Sequence, residues 1–254
     1  MILLESTEIL FASVLAIVLG GFIKGAIGFG LPFIATPVMI LYLPLAEVVS
    51  LLILPVLSSN FQQCWATRSS AGIMKTIWPM ITVNFAVLLV GSYLFLGASS
   101  TLTQAAIGFL IILHALVGDK TMPISAQGRH SGILMSASGL VSGMLGSVSS
   151  FYSFPSVQAL YSSRISPEAF VFAIGTLLSS GFIALWLGVF LQGSSTPSGL
   201  LASAAMVIPA TLGMWLGNQA RDRLQEQLFR VIVRIMLIAT GVGLLAKSLD
   251  QLAT

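Results

Sequence analysis

Long apolar runs, parted by short polar or glycine-rich breaks, fill the chain from residue 9 to about residue 247. The pattern predicts ten segments: 9–23, 29–43, 44–66, 76–97, 101–117, 131–145, 151–162, 168–191, 200–216 and 228–247. Runs of this length recur too often for a water-soluble core, and each long one suffices to cross a bilayer. The second and seventh are short and carry proline, Pro32 and Pro37 in one and Pro155 in the other. The sharpest interruption is Gly20-Gly21-Phe22-Ile23-Lys24-Gly25-Ala26-Ile27-Gly28-Phe29-Gly30-Leu31-Pro32, with five glycines, one proline and a lone lysine between apolar runs. It reads as a helix broken at membrane depth, where unwound backbone persists only if protein buries it or it lines a cavity.

The same punctuation returns later in the chain. Gly21, Gly25, Gly28 and Pro37 recur as Gly139, Gly143, Gly146 and Pro155, each 118 positions on. Pro44 and Ala46 recur as Pro167 and Ala169, 123 positions on. Each half is then a short broken pair followed by three ordinary spans: residues 1–118 a first membrane repeat, 119–130 a polar linker, 131–254 a second repeat. Five segments per half is an odd number, so the halves point in opposite directions, the inverted-repeat plan of many secondary transporters. The expected fold is an all-α polytopic membrane protein of eight to ten segments, depending on whether the short pairs span or are re-entrant.

Charge supports one orientation. With the N-terminus outside, Arg68, Lys75, Lys120, Arg129, Arg164, Arg221, Arg223, Arg230 and Arg234 all fall at the cytoplasmic face, nine of eleven basic residues. Lys247 falls outside and Lys24 within the membrane. This is the positive-inside bias, and it places both termini in the periplasm. Residues 1–8 lack the basic region of a signal peptide, so the first run is expected to be retained.

Composition agrees. The chain of 254 residues is 56% hydrophobic and 7% charged, with mean hydropathy +1.00, whereas globular domains carry about 25% charged residues. The net charge of +3 serves orientation and gives no reason to expect a nucleic-acid partner. Cys64 is the single cysteine, and His114 and His130 are too few to build a metal site. Gly25-xx-Gly28-x-Gly30 is not a dinucleotide fingerprint and lacks a strand–helix context. No cofactor is expected.

The candidate chemistry is therefore anion recognition. An ammonium at bilayer depth is costly and so usually functional; the competing reading is that Lys24 ends the first segment and snorkels to the interface. Gly28, Phe29 and Gly30 at the first break, and Gly146, Ser147, Ser149 and Ser150 at the second, would offer free backbone donors to a negative charge. Gly21-xxx-Gly25 and Gly139-xxx-Gly143 also match close helix packing. Asn60 is the preferred side-chain partner, because an amide within a span needs several hydrogen bonds; Ser58, Ser59, Gln63, Thr176, Ser179 and Ser180 can line the same path. Phe151 and Tyr152 are read as aromatic packing residues, with shaping a cavity as the alternative role. Glu47 and Glu168 each follow a proline at a helix start, where they complement the dipole, with proton or sodium coupling as the alternative role.

At its first glycine break the chain resembles the sulfite exporter TauE/SafE family of bacterial membrane transporters. The stretch from Gly20 to Gly30, Pro37, and Pro44-Leu45-Ala46 carry the resemblance, and the region from Gly139 to Pro155 repeats it weakly. The second copy departs at Ser147-Val148, which replace Phe29-Gly30, and has no lysine equivalent to Lys24. The resemblance implies an inner-membrane carrier of small sulfur-containing anions, sulfite or organosulfonates, moving outward. Two other functions compete on the residues alone: a passive anion channel, and an intramembrane serine hydrolase using Ser147 or Ser149 with His114.

Overall fold

The computed structural model describes residues 6–28, 30–95, 101–117, 131–195, 197–220 and 226–253. The expected linker and Phe29 lie outside the described residues. Those described form α1 (Thr7–Ile27), α2 (Leu31–Met39), α3 (Leu45–Ala66), a 3-10 turn (Arg68–Ile73), α4 (Met74–Phe95), α5 (Thr101–Val117), α6 (Ser131–Ser149), α7 (Ser156–Ser162), α8 (Pro167–Leu191), α9 (Pro197–Ala220) and α10 (Glu226–Ala253), with no strand among them. Among the described residues, five stretches are long and apolar enough to cross a membrane: Thr7–Ile27, Leu45–Ala66, Arg68–Phe95, Pro167–Leu191 and Ser198–Ala220.

The ends of these helices follow local chemistry. Ser6 caps α1 by accepting from the Ile9 N–H, and Ser166 caps α8 by accepting from Ala169. Pro167 and Glu168 follow in the first turn of α8, where a missing N–H costs nothing and an acid meets the helix dipole. At the other end of α1, Gly28 has φ 96° and its N–H donates to Lys24 O at 2.7 Å. Gly30 has φ 127°. L-residues with a Cβ rarely adopt such values, so the chain reverses here and starts α2.

At nine and seven residues, α2 and α7 reach only about 14 and 11 Å at 1.5 Å per residue. Neither can cross a hydrocarbon core of about 30 Å alone. The second break also lies further on than the sequence pattern placed it. Gly146, Ser147 and Ser149 are inside α6, and only Ser150, at φ 63°, stands at its end. Serine hydroxyls explain the extra turn: Ser147 Oγ donates to Met144 O at 2.8 Å and Ser149 Oγ to Leu145 O at 2.7 Å. Away from water these groups are satisfied by the helix itself. Likewise α1 continues through Lys24 to Ile27, one turn beyond the apolar run.

Backbone contacts order the bundle. The most extensive pairings are α1 with α9 and α4 with α6, followed by α5 with α10, α4 with α8, α3 with α8 and α3 with α9. Small residues make the first two possible. Gly25 of α1 lies so close to α9 that a Cβ there would stand 2.9 Å from Asn218 N; one at Gly217 of α9 would stand 3.0 Å from Ala26 N. The pair forms a two-sided small-xxx-small seam, Gly21-xxx-Gly25 against Gly213-xxx-Gly217.

Pro55 breaks the hydrogen-bond ladder inside α3, because it has no N–H to give Leu51 O. Ser203 of α9 fills the gap: its Oγ donates to Leu51 O at 2.9 Å and accepts from Leu54 N at 3.1 Å. Such repair by a neighbouring helix is what permits proline within a span. Ser203→Ala is expected to cost about 1–2 kcal/mol by leaving that buried carbonyl unpaired, read as a lower melting temperature in detergent. An unchanged melting temperature would show that the helix relaxes around the loss.

The outer surface is apolar, with Phe11, Ile133, Leu201 and Ile208 each more than two-thirds exposed, as lipid contact demands. Trp65, Trp78 and Trp215 are exposed near the end of the bundle where α3 and α9 finish and α4 begins. The Arg68 guanidinium lies 5.0 Å from the Trp65 ring centroid. Tryptophan and arginine together at one level mark a membrane–water boundary.

Candidate functional site

The last turn of α1 carries Lys24, and α3 passes beside it. Lys24 is 4% exposed and Asn60 is fully buried. Lys24 Nζ donates to Asn60 Oδ1. One turn further along α3, Gln63 Nε2 donates to Gly28 O at 2.6 Å. That bond ties α3 to the αL turn that ends α1, so the glycine break fixes both ends of the cluster.

The partners also fix how the two amides are turned. An ammonium has only donors and a carbonyl only accepts, so Asn60 must present its oxygen to Lys24 and Gln63 its nitrogen to Gly28. Asn60 Nδ2 and Gln63 Oε1 are left buried with no hydrogen-bond partner. Lys24 keeps two of its three N–H donors.

A cavity of about 510 Å³ opens beside this cluster, within the 300–1,000 Å³ range typical of small-molecule sites. Lys24, Gly28, Ser59 and Gln63 form one wall; Thr67, Pro167 and Glu168 lie where α3 ends and α8 begins; Asn218 of α9 completes it. Glu168 is exposed in the first turn of α8. Lys24 and Glu168 are the only ionisable residues among the described lining. Glu47 stands in the first turn of α3, thirteen positions before Asn60 and so about 20 Å from it along the helix.

Lys24, Gly28, Asn60 and Gln63 are thus brought together. The residues singled out around the second break are not part of this wall. Gly146 packs against Tyr152 and Leu88, and Ser147 packs against Gly91. Ser149 accepts from the Phe151 N–H at 3.2 Å, while Ser150 Oγ is buried without a partner. At the position 118 after Lys24 stands Ser142. It donates to Tyr152 O and accepts from Asn84 Nδ2, both at 2.6 Å, with Ser156 Oγ at 3.0 Å. A neutral network, in which Asn84 Oδ1 is left buried without a partner, occupies the second half where the first half holds a cation.

Thr176 Oγ1 donates to Phe172 O and lies 3.8 Å from Cys64 Sγ; Ser58 and Ser180 donate to carbonyls of their own helices. Asn218 and Gln62 line the cavity without having been singled out in the sequence. The close approach at Gly213 and Gly217 draws α9 onto α1 and carries Asn218 to the cavity. No group of three or more His, Cys, Asp or Glu residues is placed to hold a metal among the described residues.

The family model of the sulfite exporter TauE/SafE matches residues 13–244. No curated protein and no solved structure matches the chain. Members of that family are membrane transporters rather than enzymes, which sets aside the hydrolase. The hydroxyls of Ser147 and Ser149 donate within α6; the His114 side chain lies outside the described residues. With the match covering nearly the whole chain and the helices apolar enough to span a bilayer, this protein belongs to the sulfite exporter TauE/SafE family of membrane transporters.

Proposed function

We propose that the chain exports sulfite or a small organosulfonate across the bacterial inner membrane, binding it at Lys24 and alternating the access of that site between the two faces. The observation that carries the reading is a buried lysine with spare donors, on the wall of a cavity, in a chain of a sulfite-exporter family. A cation held in low dielectric attracts an anion far more strongly than one in water. The cavity opens where α3 ends, at the level of Trp65 and Arg68, which is the cytoplasmic face if both termini are periplasmic. Glu168 at its rim is better placed than Glu47 to couple proton or sodium movement to the anion.

An inverted repeat supplies the alternation. Exchanging each helix of the first five with its counterpart five later turns the α1–α9 pairing into α6–α4 and α3–α9 into α8–α4, and leaves α3–α8 and α5–α10 unchanged. Detail follows the same exchange: Gly21 abuts Ala210 O as Gly139 abuts Met80 O, and Gly25 abuts Met214 O as Gly143 abuts Asn84 O. Pro209 and Pro79 precede the corresponding contacts. Phe33 and Phe151, again 118 apart, face each other with ring centroids 5.9 Å apart, as equivalent residues beside a pseudo-two-fold axis do. Beside Gly146, the position 118 after Gly28, the space is taken by a side chain. Tyr152 lies between Gly146 and Gly181, 3% exposed, with its hydroxyl donating to Leu178 O at 2.6 Å. A carrier at rest on one side needs its site open to that face and closed to the other.

The test is sulfite flux into proteoliposomes with ethanesulfonate and chloride as competitors. Saturable sulfite movement, blocked by ethanesulfonate and indifferent to chloride, is expected. No movement of either sulfur anion by demonstrably folded protein would break the step from family to substrate.

A further inference from the structure

The two orphaned amide atoms beside Lys24 have opposite hydrogen-bonding character. Asn60 Nδ2 can only donate and Gln63 Oε1 can only accept, and both are buried without partners. Their orientation is dictated by the Lys24 ammonium and the Gly28 carbonyl. Asn60 and Gln63 are three positions apart on α3, which puts their side chains on one face about 5–6 Å apart at Cβ. Of the cluster, Lys24 and Gln63 line the cavity, so a ligand there would offer an acceptor to Lys24 and a donor to Gln63.

Charge points the same way. Against the single positive charge of Lys24, the lining presents Glu168 at the rim and no second cation among the described residues. A dianion would bring one uncompensated negative charge into a partly dry site, which is costly. A monoanion is matched by Lys24 alone.

We propose that this pocket selects monoanions that also carry a hydrogen-bond donor: the hydrogen-sulfite form of sulfite, or a sulfonate bearing a hydroxyl group. Dianions, and sulfonates without a donor, bind more weakly. The proposal rests on Lys24 marking the anion site and adds the protonation and substituent that the site prefers. Gln63 is its specificity-determining residue: among the described lining, Gln63 Oε1 alone combines burial, acceptor-only chemistry and the lack of a partner.

Calorimetry on the purified full chain with two probes separates the possibilities. Ethanesulfonate and 2-hydroxyethanesulfonate share their charge and head group and differ by one hydroxyl. About a ten-fold preference for the hydroxylated probe is expected, the upper range for one buried hydrogen bond. In Gln63→Leu the ratio should fall to about one. Sulfite affinity should also weaken as pH rises through its second ionisation, while ethanesulfonate affinity, with no proton to lose, serves as the control for the protein. Equal binding of both probes to the unmodified protein would overturn the proposal yet leave Lys24 as an anion site. Binding of neither probe would remove the anion site itself. The two-probe comparison stands even if Gln63→Leu does not fold.

Discussion

Lys24→Met is expected to abolish anion recognition while leaving the protein as stable as before, or more so. Methionine matches the length of the lysine stem and fits the same buried space, but it removes a charge that costs roughly 2.5–3.5 kcal/mol at the centre of a membrane helix. Against that stands the lost bond to Asn60, whose oxygen would be left unpaired at about 1–3 kcal/mol. The two roughly cancel. Binding has no such compensation, since a hydrogen bond to a charged group contributes about 1.5–3 kcal/mol, so affinity for sulfite should fall at least about ten-fold. Melting temperature and affinity measured on the same preparation decide the matter. Loss of folded protein in proportion to loss of binding would reduce Lys24 to a structural or orienting residue.

Gly25→Leu should have the opposite signature, with little folded protein to assay. A Cβ at Gly25 would stand 2.9 Å from Asn218 N, and the obstacle is backbone on both sides, not a side chain that can turn away. Separating α1 from α9 would also pull Lys24 and Gly28 from the wall that Asn218 shares with them. Overpacking a well-filled contact typically costs 1–3 kcal/mol, occasionally more, and here about 3 kcal/mol or more is expected. Membrane abundance and size-exclusion behaviour report it. A monodisperse Gly25→Leu protein at normal abundance would mean that the α1–α9 seam is looser than the close approach of these backbones implies.

The contrast between these substitutions shows what could be read from the chain itself. The apolar runs and their breaks were legible because a bilayer makes hydrophobicity the dominant signal. The glycines of the first break announced α1, its reversal and α2, since a φ of 96° or 127° excludes nearly everything else. Lys24 stood out because cations are expensive in such surroundings, and Asn60, the amide preferred on similar grounds, is the one that receives its hydrogen bond.

Other features depended on information that runs across the chain. Gly213 and Gly217 look like any other glycine pair in a chain with 24 glycines; only packing shows that they face Phe22 and Ala26. Asn218 was invisible for that reason. The apolar run ends at residue 145, a turn before α6 does, because the serines beyond it satisfy their hydroxyls within the helix. Tyr152 gave no sign of its burial between two glycines, because an aromatic in an apolar run has many possible places to pack.

Counterflow of labelled sulfite in proteoliposomes tests the central claim most directly, comparing the unmodified protein with Lys24→Met at matched amounts of folded protein. A carrier with a Lys24 site should take up labelled sulfite faster when the vesicles are preloaded with unlabelled sulfite, with uptake passing through a transient maximum. Lys24→Met should show neither effect. Flux that ignores preloading, rises linearly with concentration and survives the substitution would contradict both the carrier and the site.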